Sequence, residues 1–193
     1  MKSRLAIAAV SIAAFVMGAP ASTEEPRRLV LDAAQSAVSA RVAFFGLASK
    51  TAHFPEVSGG IQLDADRPGA VDLDVTLNAR ALRAGDGKTL ARLRGPNFFD
   101  VEHYPSVHFA GRAMRMTGPR TADVTGELTA RGVTRREVLR VIFDRDPGAI
   151  SGREPITISG TMTINRRDYG MTAYSLIVGN RVTISIRARM VPA

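Results

Sequence analysis

The sequence predicts an all-β domain, an eight-stranded antiparallel barrel with one or two short helices at its mouth. Three observations predict it. Apolar residues recur at every second position in eight separate segments. Gly, Pro and Asp residues stand between those segments. Only one segment, 87–95, spaces its leucines for a helix. A strand with one dry and one wet face belongs to an antiparallel sheet, and closing eight such strands removes the exposed edges and hides the dry face.

The strands follow in order. Val38, Ala40, Val42 and Phe44 alternate with Ser39, Arg41 and Ala43. The same period of two sets Val57, Gly59, Ile61 and Leu63 on one face, then Val71, Leu73, Val75 and Leu77. Pro105 cannot donate to a ladder and suits the start of a strand, after which Val107, Phe109, Gly111 and Ala113 share a face. Val124 to Ala130, Leu139 to Phe143, Ile156 to Ile164 and Val182 to Met190 continue the pattern. In the helical segment Leu90 and Leu93 lie three apart. A second short turn or helix is expected around Met171 to Leu176.

The N-terminus reads as an export signal. Lys2 and Arg4 precede an apolar run from Leu5 to Met17, and Ala19-Pro20-Ala21 offers small residues for cleavage. The run is short for a membrane span. The expected division is a signal peptide over 1–21, a flexible leader over 22–28 and a barrel domain over 29–193, with the mature protein in the periplasm. The chain has no Cys, which excludes thiol catalysis and thiolate metal sites. The net charge of +8 is carried by a surplus of Arg. That surplus allows a transient contact with an anionic membrane surface. Nucleic acid binding would need basic residues interleaved with aromatics on one face, and Arg187 and Arg189 share a face without them, so no nucleic acid partner is expected.

The inward phase is nearly free of ionisable groups. Only Glu137 and Arg115 share it, both expected at strand ends, so ordinary acid–base chemistry has little to work with. It does hold small residues, among them Gly111, Gly126 and Gly160. These either leave a hollow for a ligand or accommodate bulky neighbours such as Phe44, Phe109 and Phe143. His103 and His108 lie five apart, on opposite faces of a strand, and there are no clustered carboxylates, so no metal is expected. Arg166-Arg167-Asp168 is either a headgroup clamp or a salt-bridged turn. Asp100 and Glu102 suit loop capping, and no Gly-x-Ser-x-Gly elbow occurs.

The segment Asn97-Phe-Phe-Asp-Val-Glu-His-Tyr-Pro-Ser-Val-His-Phe109 places Phe98, Phe99 and Tyr104 in a loop at a strand's start. It resembles the signature of the YceI-like family of periplasmic polyisoprenoid-binding proteins, which has a lipocalin-like barrel. Gly126 to Thr134 is similar to the family's "G.LT..GvT" hairpin, and Arg167 to Met171 to its "R.dFGM" element, with Tyr169 where Phe is usual. Val178-Gly179-Asn180-Arg181-Val182 matches "vG..V", and Ser36, Phe54 and Gly60 fit the early pattern. The chain departs from the family at Phe45, where His often precedes the early Gly.

The resemblance implies a non-catalytic binder of a long isoprenoid lipid, of quinone or polyprenyl type, held in a dry tunnel for storage or transport, with no cofactor. Burial at about 25 cal/mol per Å² would hold such a chain without a hydrogen bond. Leu90, Leu93, Phe98, Phe99 and Tyr104 are the expected lid and entrance. Phe44, Phe54, Val75, Phe109, Leu128, Met162, Met171, Tyr174 and Ile186 are the expected lining. A monomer or homodimer would serve. Two rivals stand beside this reading: a lipid isomerase or hydrolase using Glu137 or Asp168, and a basic module on the envelope surface.

Overall fold

The computed structural model describes residues 27–63, 69–150 and 153–193. The expected signal peptide and residues 22–26 of the leader lie outside the described residues. The strands are β1 (Arg27–Phe44), β2 (Ala48–Phe54), β3 (Val57–Leu63), β4 (Ala70–Asn78), β5 (Arg83–Ala84), β6 (Ser106–Gly118), β7 (Thr121–Ala130), β8 (Val133–Phe143), β9 (Ile156–Asn165) and β10 (Val178–Pro192). The helix α1 spans Gly87–Arg94.

Eight strands form a closed antiparallel ring in the order β1, β3, β4, β6, β7, β8, β9 and β10, with β10 returning to β1. These carry the eight predicted segments. β2 continues β3 past Pro55 and Glu56 and pairs with the second half of β1, while the two-residue β5 adds to β2. β2 was not visible in the alternation, because Ala-Ser-Lys-Thr-Ala-His-Phe presents a faint dry face to a period-two reading. Arg27 and Arg28, expected in the leader, open β1 instead: they pair with Leu63 and Gln62.

Two bulges set which side chains face inward. In β1 the register shifts between Asp32 and Ala37. Leu29 and Leu31 point inward before it, and Val38, Ala40, Val42 and Phe44 after it, because β1 advances five residues there while β10 advances two, and an odd excess reverses the face. The Ser36 hydroxyl holds this bulge, donating to the Asp32 carbonyl at 2.7 Å and accepting the Arg189 N–H at 3.0 Å. In β6 the shift lies between Gly111 and Ala113. Met114 turns inward beyond it, and Ala113 and Arg115 turn outward, against expectation. Arg115 pairs instead with Asp123 at 3.0 Å on the outer wall.

The interior carries two packed clusters. The larger fills the barrel with Leu29, Phe109, Leu128, Phe143, Met162, Tyr169 and Met190 among others. The smaller joins Val38, Ala52, Phe54, Val57, Ala79, Leu82 and Val101. Val75, Phe99, Ile184 and Ile186 pack against both. One end of the barrel is covered by α1, the loop 95–105 and the segment 166–177. Asp86 caps α1 by accepting the Thr89 N–H at 2.7 Å. The turn expected around 171–176 is present over 173–177, where the Tyr174 carbonyl accepts the Ile177 and Val178 N–H groups, and it is preceded by a 3-10 turn at Arg166–Tyr169. Asn165 caps it, and Gly170 leaves it in the left-handed conformation that Gly tolerates best.

Candidate functional site

Two hollows lie on the barrel's inner side. The deeper one has a volume of about 50 Å³ and is lined by side chains such as Val38, Ile61, Leu73, Val75, Leu139, Phe143, Ile158 and Ile186. Its polar lining residues are Ser36 and Arg187. The Ser36 hydroxyl is already committed to the β1 bulge and Arg187 is solvent-exposed, so the surface the hollow offers a chain is apolar. Gly160 lines it, and a Cβ there would come to 3.1 Å from Leu139 Cδ1 and 3.4 Å from Ile186 Cβ. Gly160 therefore helps to make the hollow.

Gly126 has the other role. A Cβ there would strike the Ala110 carbonyl and come to 2.7 Å from Gly111 Cα. It allows β7 and β6 to approach beside the bulge and contributes no free volume. Small inward residues thus serve both ends that the sequence left open.

The second hollow, about 180 Å³, lies at the helix-covered end. Its walls are Val42, Phe44, Leu93, Phe98, Tyr174, Ile177 and Val178, with Lys50, Asp86, Lys88, Thr89 and Arg92 at its polar side. Phe98 stacks on Tyr174 with ring centroids 6.0 Å apart and planes 9° apart. The Arg92 guanidinium lies 5.5 Å from the Tyr174 centroid, and Lys50 Nζ lies 5.5 Å from that of Phe44. Asp86 is held well below the usual carboxylate range, first by the backbone and hydroxyl of Thr89, then by Lys50. It stays ionised, and the pocket keeps three cations beside it.

The two hollows share no lining residue. Val38 and Ile186 pair at the deep hollow, Ala40 and Ile184 pair next, and Val42 belongs to the mouth. The step from Val38 to Val42 is about 13 Å at 3.3 Å per residue. Phe99 lines neither hollow but packs against both clusters, and it meets Phe54, the register partner of Val38, edge to face at 5.6 Å. Its N–H bonds to the Leu93 carbonyl at 3.0 Å, which ties the ring to the end of α1.

Three side chains whose roles the sequence does not foretell hold the mouth segments in place. Arg166 is 2% exposed, and its guanidinium donates to the carbonyls of Gly179 at 2.9 Å, Val178 at 3.0 Å and Met171. It is neither a headgroup clamp nor part of a salt bridge, since Asp168 accepts from Asn165 instead. Burial, with a smaller contribution from Arg167, lowers its pKa from the ordinary arginine value. Arg131 donates to the Gly170 and Pro96 carbonyls and so clips the two covering loops together. Tyr169 is fully buried beside a split in the wall, where β8 and β9 pair only over Arg140–Phe143 and Ile158–Thr161. Its hydroxyl donates to Glu137 Oε1 at 2.9 Å. Burial first, and then that carboxylate, push the Tyr169 hydroxyl far above its usual pKa. Glu137, mid-strand in β8 and not at its end, is thereby engaged in sealing the wall.

The predicted residues separate into four groups. Val75 and Ile186 line the deep hollow. Phe44, Leu93, Phe98 and Tyr174 line the mouth. Phe54, Leu90, Phe99, Phe109, Leu128, Met162 and Met171 are packed in the clusters that surround the hollows. Tyr104 is not at the entrance. It is 38% exposed, and its ring covers Gly132 in the β7–β8 turn, because the Asp100 carbonyl accepts its N–H and turns the chain outward. His103 bonds Asp100 and His108 bonds Asp74, both at 3.0 Å, on separate parts of the surface. Among the described residues no three of His, Cys, Asp or Glu gather closely enough to hold a metal ion.

Comparison with known proteins agrees with this architecture. A crystal structure of BcnA from Burkholderia cenocepacia superposes with a TM-score of 0.73 at 21% identity, covering 82% of this chain and 98% of that one. A polyisoprenoid binding domain from Saccharophagus degradans, implicated in plant cell wall breakdown, superposes with a TM-score of 0.67 at 14% identity over 88% and 100%. These likenesses establish the fold. A UPF0312 protein of Pseudomonas savastanoi pv. phaseolicola is 32% identical over 118 residues, which is 61% of this chain and 62% of that relative's length. The YceI-like domain model matches residues 29–190, nearly the whole described barrel. This chain belongs to the YceI-like domain family.

Proposed function

We propose that this protein binds the apolar chain of an isoprenoid lipid inside its barrel, without chemical conversion, and stores or carries it in the periplasm after export. The observation that carries the reading is the lining of the deep hollow: aliphatic and aromatic side chains, with its one hydroxyl already bonded. Such a surface selects a ligand by apolar area alone. A solved domain of the same fold is a polyisoprenoid binding domain. The mouth adds a cationic side, suited to a polar or anionic headgroup left at the entrance.

We infer that a chain occupying both hollows displaces Phe99, which packs against both clusters. Phe99 is therefore the gate of this account, with Phe98 and Tyr174 forming the outer wall. The interior acid Glu137 bonds the Tyr169 hydroxyl and Asp168 bonds Asn165, so both carboxylates proposed for a lipid-converting enzyme have structural work. Native mass spectrometry of the protein purified from its own cell envelope tests the reading. A bound lipid with an isoprenoid tail supports it; an acyl phospholipid or fatty acid as the retained species overturns it.

A further inference from the structure

Four large apolar side chains stand in water beside the mouth. Leu47 and Leu176 are 101% and 99% exposed, and Phe45 and Tyr174 are 64% and 44% exposed. They lie on two loops, 45–47 and 174–177, which are joined because the Phe45 N–H donates to the Ile177 carbonyl at 2.8 Å. Phe45 also meets Phe44 edge to face at 4.6 Å, so the exposed tip is continuous with the mouth lining. A single exposed leucine needs no explanation, but two fully exposed leucines on adjoining tips form a patch.

The charges around this patch point to what covers it. Lys50, Lys88 and Arg92 stand at the mouth beside it, with Asp86 the one acidic residue of that lining. Asp86 already takes the Thr89 N–H and Lys50. Apolar tips next to cations match the two layers of an anionic membrane surface: acyl boundary for the leucines, phosphate headgroups for the cations. A second copy of this chain would bring the same cations together across the contact, which like-charge repulsion opposes.

We propose that loops 45–47 and 174–177 dock into the surface of an anionic phospholipid bilayer, setting the mouth pocket directly on the membrane. Docked in this way, an isoprenoid chain would pass from bilayer to barrel without crossing water. That loading role rests on the proposed function; the docking itself does not.

Co-sedimentation with vesicles tests it, using phosphatidylcholine alone and phosphatidylcholine mixed with phosphatidylglycerol. The protein should pellet with the mixed vesicles, and removing the anionic lipid should weaken binding about fivefold for each cation engaged. Leu47→Ser combined with Leu176→Ser should weaken it on the order of tenfold per leucine. Both side chains touch only water, so the melting temperature should not move. Equal pelleting of the double variant, or equal binding to neutral vesicles, would overturn the proposal. So would self-association of the native protein without vesicles that the double variant abolishes. Vesicle binding intact with no isoprenoid uptake would leave the docking standing and remove the proposed function instead.

Discussion

The Phe99 ring meets Phe54 edge to face, with centroids 5.6 Å apart and planes at 76°. This contact joins the loop after α1 to β2, which pairs with β1 opposite Val38. It makes the gate a packing element, and its two roles can be measured apart. Phe99→Ala should cost about 2–4 kcal/mol of stability, because the ring packs against both clusters. The same change should speed both uptake and release of a fluorescent isoprenoid. Phe98→Ala should also speed release, at a comparable cost in stability, since that ring is 8% exposed, walls the mouth and stacks on Tyr174. Stopped-flow release beside urea denaturation separates the two. Equal release rates in all three proteins would remove the gate.

The two glycines should part company. Gly126→Ala should destabilise the barrel by about 1–3 kcal/mol, since the new methyl meets the β6 backbone, which cannot step aside. Gly160→Ala should cost less, because its nearest neighbour is the Leu139 Cδ1 methyl at 3.1 Å, the end of a mobile side chain. Gly160→Ala should nonetheless weaken isoprenoid binding by narrowing the deep hollow. Thermal melts and ligand titrations on the pair of variants check the reversal.

Arg166→Met should cost about 3 kcal/mol and loosen the mouth. The guanidinium satisfies the carbonyls of Gly179, Val178 and Met171 in a buried place, and methionine leaves them without donors. Limited proteolysis should then cut within 170–177 before the barrel opens. Arg166→Lys should not rescue it, since one ammonium group cannot reproduce the planar fork.

Tyr169 predicts a pH dependence. Its hydroxyl titrates far higher in the folded protein than the ordinary value of about 10, owing first to burial and then to Glu137. A raised folded pKa favours the protonated, folded form. Its contribution is therefore fully present below about pH 10 and is lost as pH rises through the folded value. Tyr169→Phe should cost about 1–2 kcal/mol at neutral pH through the lost hydrogen bond to a carboxylate. It should also flatten the fall in urea midpoint between about pH 9 and 11. A variant that falls as steeply as the native protein would assign the alkaline loss to other groups.

The barrel was legible because its physics is periodic: one wet and one dry face give a signal at every second residue, and the inward phases of β4, β7, β8, β9 and β10 could be read directly. The failures fall where periodicity ends. The extra residue at Arg112 reversed the faces of Ala113 and Arg115, and nothing in a pattern of two announces a bulge. β2 earns its place by pairing with β1 more than by amphipathicity. Tyr104 looked like an entrance residue by proximity to Phe98 and Phe99, but a turn at Asp100, with φ of 50°, swings it away. The aromatic pair was identifiable by type, and only the fold shows that Phe99 faces the interior while Phe98 walls the mouth. The bracing roles of Arg166 and Arg131 cannot be read from sequence because their partners are backbone carbonyls of other segments.

The central claim is that an isoprenoid chain lies inside the barrel. Methyl-labelled NMR with an added isoprenoid quinone tests it most directly, by nuclear Overhauser contacts between ligand methyls and protein methyls. The account predicts contacts to Val38, Leu139, Ile158 and Ile186 in the deep hollow, lost in Gly160→Leu. Contacts confined to the outer tip at Leu47 and Leu176, with none to the interior set, would contradict it.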